Sequence, residues 1–372
     1  MTSFIGPIGL AEVAAAVMMV ALNAYVLMGG ADFGGGVWDL LASGPRREGQ
    51  RSLIAHTIGP IWEANHVWLI IAVVMLFTAF PEVFALLGIL LHIPLSLMLL
   101  GIVLRGSAFV FRSYGSGSDA TQRRWGRVFA VSSLITPVLL GIIVGTVASG
   151  ALVRGANSLV GAAVGGGAGP LTAGTTGTRD FFGHGASSFS SVFVAPWLEP
   201  FPIAIGILAL TLFAFLAAVY LTIAARDELL REDFRRRALA AALAVLASAL
   251  GAIVVAQFNA PGVSRTLLES PVAPFLQAFT ALAAFTAIAA LWTRHYQLAR
   301  LAAAAQVSLV LWGWAFVQYP FIVPPLMTIR DAAAPRITLE LLLLALSVGA
   351  VVLVPSLLYL FRTFSRGRSD AA

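Results

Sequence analysis

Apolar residues fall in nine runs, near 8–29, 53–79, 82–104, 128–150, 200–224, 238–257, 273–292, 299–319 and 337–361, separated mostly by short polar connections. A bilayer core takes about 20 residues of helix at roughly 1.5 Å rise each, so each run predicts one membrane crossing. The expected fold is all-α: a polytopic integral membrane protein of about nine transmembrane helices, arranged as two four-helix bundles plus one peripheral helix. The first run starts within ten residues of the N-terminus, without a basic segment before it or a convincing cleavage site after it. It is read as a retained span and not a signal peptide.

One connection departs from the pattern. Residues 151–197 form a long Gly-, Ala-, Ser- and Thr-rich stretch that divides the chain into a first half (1–150), this loop, a second half (198–319) and a ninth helix with its tail (320–372). A flexible linker is the plain reading of such composition, and His184 within it reads as solvated.

Composition agrees with the hydropathy pattern: 59% of residues are hydrophobic, 11% are charged and mean hydropathy is +0.92. Such values exclude a water-soluble domain of this length. The chain has no cysteine, which removes disulfides, thiolate zinc sites and cysteine-held iron–sulfur clusters. Its net charge of +6 comes from Arg, since there is no Lys. Of the 23 arginines, 18 lie on one alternating set of connections and the tail. By the positive-inside rule this set is cytoplasmic, which puts the N-terminus outside the cytoplasm and the C-terminus inside. The basic excess therefore speaks for orientation in a lipid bilayer and not for nucleic acid.

Buried polar residues carry the candidate chemistry, because each costs several kcal/mol in hydrocarbon unless it faces a partner or a cavity. The run "GPIWEANHVWLI" holds Glu63, Asn65 and His66, with His56 one stretch earlier. His56, Glu63 and His66 fall along one helix face over about 15 Å. Pro60 frees a backbone carbonyl beside them, and Trp62 and Trp68 flank the stripe. Glu63 either pairs with an Arg or His of a neighbouring helix or relays protons.

A second cluster, "MGGADFGGGVWD", surrounds Asp32 with glycines that each cost a helix about 1 kcal/mol relative to Ala. They permit close helix contact or irregular backbone around a buried carboxylate. In a third cluster, "LRGSAFVFR", Arg105 and Arg112 share a face, either snorkelling to headgroups or pairing with Asp32 or Glu63. A haem held by this chain alone is not expected, since His56 and His66 sit on one helix about 15 Å apart.

These three motifs, in this order on spans one to three, resemble subunit II of the bacterial cytochrome bd-type quinol oxidases. The likeness continues through "PWLEPFPIAIGILALTLFAFLAAVYL" and the nine-span layout. It implies a haem-free partner of subunit I, in which two b-type haems and one d-type haem oxidise quinol and reduce dioxygen to water. It also implies a heterodimer with subunit I, leaves room for a small single-helix subunit, and brings the structural quinone that subunit II often shelters. The resemblance puts Glu63 on a proton route to the oxygen-reducing haem. Asp32 would then serve the cytoplasmic entrance, while His56, His66 and Asn65 provide hydrogen-bond continuity.

Two departures stand out. Relatives often carry an additional acid in the first motif, where this chain has Gly29, Gly30 and Ala31 before Asp32, and an acid in the third motif where Val110 stands. A proton-coupled secondary transporter and a purely structural oxidase subunit are the competing readings.

Overall fold

The computed structural model describes residues 8–114, 119–153, 155–156 and 189–366; within them, the side chains at 58–63, 113–114, 119–120, 354, 357–358 and 360–366 are not described. Pro60, Trp62 and Glu63 are therefore placed as backbone only, and most of the 151–197 loop, His184 included, lies outside the described residues.

The chain forms helices α1 (Leu10–Leu40), α2 (Arg47–Ala79), α3 (Pro81–Leu90), α4 (His92–Tyr114), α5 (Asp119–Ser149), α6 (Phe189–Phe193), α7 (Pro200–Ala224), α8 (Glu228–Asn259), α9 (Pro261–Glu269), α10 (Ala273–Trp292), α11 (Tyr296–Gln318) and α12 (Arg336–Arg366). A short antiparallel pair, β1 (Phe321–Val323) and β2 (Met327–Thr328), precedes α12. Among the described residues eight helices are long and apolar enough to span a membrane, or nine if one bent pair is counted as a span. This agrees with the all-α, roughly nine-span expectation.

The bent pair corrects one boundary. At fully buried Phe80 the chain turns by 112° between α2 and α3. Pro81 ends one helix and starts the next, where its missing N–H leaves no broken bond. The apolar run predicted as a single span at 82–104 is thus divided: α3 turns away from α2, and the third crossing is His92–Arg112. Hydropathy is blind to such a bend because both pieces are equally apolar.

The glycine-rich segment holds the second finding: α1 runs helically through it to Leu40. Of the two alternatives, close contact holds and irregular backbone does not. A Cβ on Gly34 would lie 2.0 Å from the carbonyl oxygen of Phe213, one on Gly30 2.4 Å from Leu216, and one on Gly36 2.1 Å from the Ser133 hydroxyl. The missing side chains let α1 press on α7 and α5, and that packing offsets the weak helix propensity.

The resulting contacts put α1 at the centre, against α2, α5 and α7, while α4 packs on α5, α8 on α7, α10 on α11, and α12 on α1 and α2. One apolar cluster, with Trp38, Phe129, Phe215 and Phe234, fills the arginine-rich end. Another, with Met75, Phe80, Leu90 and Val323, fills the opposite end. There the segment after α11 is fastened by the Ala334 N–H donating to the Ala79 carbonyl at 2.8 Å, and by an Arg330–Glu12 ion pair.

Gly34→Ala should therefore destabilise the protein by about 1–3 kcal/mol through overpacking. Gly251→Ala, in a helical position with nothing within 4 Å, should be neutral or stabilising by up to about 1 kcal/mol. Thermal unfolding of the two variants in detergent checks the contrast.

Candidate functional site: a buried column of polar groups on α1

Close packing of α1 on α5 and α7 encloses Asp32 completely, at 0% exposure. Arg105 of α4, 1% exposed and the largest of the fully buried side chains, meets it. Its Nη2 lies 2.6 Å from Asp32 Oδ1 and donates to the Asp32 carbonyl at 2.6 Å, while its Nε donates to Ser133 Oγ at 3.0 Å. The Ser133 hydroxyl passes its own hydrogen to the Phe129 carbonyl at 2.7 Å. Phe33 and Phe129 cover the guanidinium, with ring centroids at 4.7 and 4.9 Å. Arg105 is thus paired and enclosed, and it does not snorkel.

One heptad further along both helices the pairing repeats. Arg112 grips Asp39 with both nitrogens, at 2.9 and 3.0 Å, and each rung joins residues 73 apart in sequence. Arg51 of α2 approaches the same carboxylate at 3.8 Å. Arg112 therefore pairs with Asp39, where Asp32, Glu63 or headgroups had been the expected partners. Asp39 supplies across the bundle the acid that Val110 does not supply within α4.

One heptad in the other direction stands Tyr25, 2% exposed and within electrostatic reach of Asp32 and Arg105. Tyr25, Asp32 and Asp39 thus line one face of α1 over about 21 Å. Asn65 of α2, 0% exposed, lies beside the Asp32 carboxylate and against Gly29, and half-buried His66 is within electrostatic reach of Asp32. Both amide atoms of Asn65 are buried, with the Asp32 carboxylate as a neighbouring acceptor.

The expected stripe on α2 divides. Asn65 and His66 join the column, His56 is exposed and stands apart from it, and Trp68 packs with Tyr25, Phe33 and Ile102. Asp32 is fully buried, one heptad along α1 from Asp39. Asp39 and Tyr25 were both missed, although their seven-residue steps from Asp32 match the Arg105–Arg112 step.

A further clasp ties the α1–α2 connection to α8. Arg46 binds Asp233 in bidentate fashion at 2.6 and 2.8 Å, Gln50 donates to Asp233 at 3.0 Å, and Arg237 donates to Gln50 at 2.8 Å.

His56 and His66 cannot together ligate one haem iron. His56 and His66 are about 15 Å apart on one helix, a ring nitrogen of His92 is 2.8 Å from the Ile89 carbonyl, and one of His295 is 2.9 Å from Thr293 Oγ1. No metal-binding group of three His, Asp or Glu occurs among the described residues.

Fold and site together define a polytopic helical membrane protein with a charge-paired polar column inside its bundle. Comparison with known proteins narrows the class. The family profile of cytochrome bd terminal oxidase subunit II matches residues 10–364, and the chain belongs to that family. It is 33% identical over 126 residues to the Bacillus subtilis cytochrome bd ubiquinol oxidase subunit 2, covering 34% of this chain and 36% of that protein. A putative cytochrome bd menaquinol oxidase subunit II of the same organism is 29% identical over 120 residues, covering 32% and 33%. These alignments span about a third of the curated relatives. The structure of bd oxidase from Geobacillus thermodenitrificans aligns over 95% of this chain and 98% of that one, with a TM-score of 0.73 and 21% identity, and so shares the fold.

Breaking the buried pair should cost more than removing it. Asp32→Asn or Arg105→Gln alone leaves an uncompensated buried charge or polar group, a loss of about 3–5 kcal/mol. The double substitution should recover part of that loss, and a double-mutant cycle on thermal unfolding measures it.

Proposed function

We propose that this chain is the haem-free subunit of a bd-type quinol:oxygen oxidoreductase in the bacterial cytoplasmic membrane. In this reading it pairs with a haem-bearing subunit I, supports its assembly, and helps bring protons from the cytoplasm toward the site of oxygen reduction. The N-terminus lies outside and the arginine-rich end faces the cytoplasm. The two b-type haems and the d-type haem belong to the partner, and quinol and oxygen are substrates of the complex. No step in this chain passes through a haem.

The observation that carries the proton role is the enclosed column of Asp39, Asp32 and Tyr25, with Asn65 and His66 beside it. A file of ionisable and hydrogen-bonding groups supports proton movement through a low-dielectric interior without a bare charge in lipid. Asn65, beside the Asp32 carboxylate, continues the polar line, and ordered water is how such buried polar groups are commonly satisfied. Glu63 remains the interior transfer group of this reading: its backbone position follows His56 by seven residues on α2, and an ionisable group in that span calls for a partner or a path.

A purely structural role is the competing reading. It is favoured by the bidentate grip of Arg112 on Asp39, a geometry suited to fixing α1 and α4 to each other. Glu63→Gln separates the two. Under the relay reading, oxygen consumption by the purified complex falls at least tenfold while the reduced-minus-oxidised haem spectrum and subunit stoichiometry stay native. Unchanged turnover would leave the chain as a scaffold.

A further inference from the structure

We propose that Asp39 is a positioning residue shared by two arginines, and that its transfer from Arg112 to Arg51 opens the polar column to water at the arginine-rich end. The inference rests on the proton-delivery reading and names the step that controls access to it.

Three helices meet at this carboxylate. Arg112 of α4 holds both of its oxygens, at 2.9 and 3.0 Å. Arg51 of α2 stands ready as a second partner: its Nε is 3.8 Å from Asp39 Oδ1, buried and without a hydrogen-bond partner among the described residues, and its Nη2 lies 3.5 Å from the Asp39 carbonyl. The two arginines carry the same charge and approach the same group, so exchange keeps one ion pair throughout. Arg51 gains the hydrogen bond that its Nε lacks, which lowers the cost of releasing Arg112. From α8, Arg237 approaches the same end of α1, donating to the Leu41 carbonyl, but Gln50 holds it and Asp233 lies beside it.

Release of Arg112 has a direct consequence for Asp32. The Arg112 guanidinium lies 6.0 Å from the Phe129 ring, the same ring that covers Arg105 at 4.9 Å. Arg112 and Phe129 together thus cover the side of the Asp32–Arg105 pair that faces the arginine-rich end. The Arg51 and Arg112 side chains are 31% and 26% exposed, against 2% for Arg105, so a released Arg112 has open space to turn into.

The cysteine-free sequence makes the test direct. Ala108, fully buried on α4 between Arg105 and Arg112, is replaced in the membrane-embedded complex by Ala108→Cys. Its modification by a small water-soluble methanethiosulfonate is followed by the mass of this chain. Adding Arg112→Gln, which leaves Asp39 to Arg51, should speed labelling at least tenfold. Adding Arg51→Gln, which removes the alternative partner, should slow it at least threefold. Acceleration by both substitutions would mean that the arginines merely pack the site, and no change with either would mean that Arg112 seals nothing; each result overturns the proposal. Ser133→Cys, close to native size, gives the same comparison if Ala108→Cys fails to fold. Oxygen consumption of the Arg51→Gln complex separates the two ideas. Opposite labelling responses with unchanged turnover establish the shared carboxylate and count against proton delivery through it, whereas a parallel fall in turnover supports both.

Discussion

A carboxylate inside a membrane bundle must be neutralised within it, and much of this fold can be traced to meeting that demand at Asp32. Its guanidinium partner comes from α4, and one carboxylate on one helix cannot use the full donor set of an arginine. Two further donors go to the Asp32 carbonyl and to Ser133, so three helices meet at one charge pair. Two phenylalanine rings complete the enclosure, giving the cation faces of negative potential where water would otherwise stand. The glycines of α1 follow from the same demand. Had Gly34 and Gly36 carried side chains, α1 could not lie against Phe213 and Ser133, and Arg105 would not span the gap.

The direction of the helices matters as much as their spacing. Asp32 and Asp39 meet Arg105 and Arg112 in the same order, which requires α1 and α4 to run parallel. Were α3 itself a crossing, α4 would be the fourth span and run opposite to α1. The bend at Phe80 and the short α3 change the path: α2 crosses, α3 turns aside, and α4 starts again from the end that α2 reached. Counted as crossings, α4 is third and therefore parallel to α1. At the arginine-rich end the Arg46–Asp233 clasp then ties the α1–α2 connection to α8, so one ionic layer joins the first half of the chain to the second.

What could be read in the sequence followed from how local each signal was. Long apolar runs gave the helices, and the motif order on the first three spans gave the family. The bend after Ala79 was hidden because α3 and α4 are both apolar, and only the Phe80–Pro81 step marks it. The glycine cluster allowed close contact or irregular backbone, and only Phe213, Leu216 and Ser133 on other helices decide between them. Arg105 and Arg112 were recognised as a pair on one face, while the matching step from Asp32 to Asp39 went unnoticed. Attention to buried acids one at a time concealed a pattern that belongs to two helices together.

The column also shows a gradient set by the cost of charge with depth. Asp39 is paired with partly exposed arginines, Asp32 with a buried one, and Tyr25, furthest from the arginine-rich end, is a hydrogen-bonding group that needs no counter-ion. A straight helix drifts about 20° per heptad from a seven-residue repeat, so facing pairs stay in register for only a few steps. Two charged rungs fit within that limit. A third ion pair at the depth of Tyr25 would meet worse register and a larger desolvation penalty at once. A neutral phenol at that position continues the hydrogen-bonding line where another carboxylate could not be held, and this ties the chemistry of the column to the geometry of the helices that carry it.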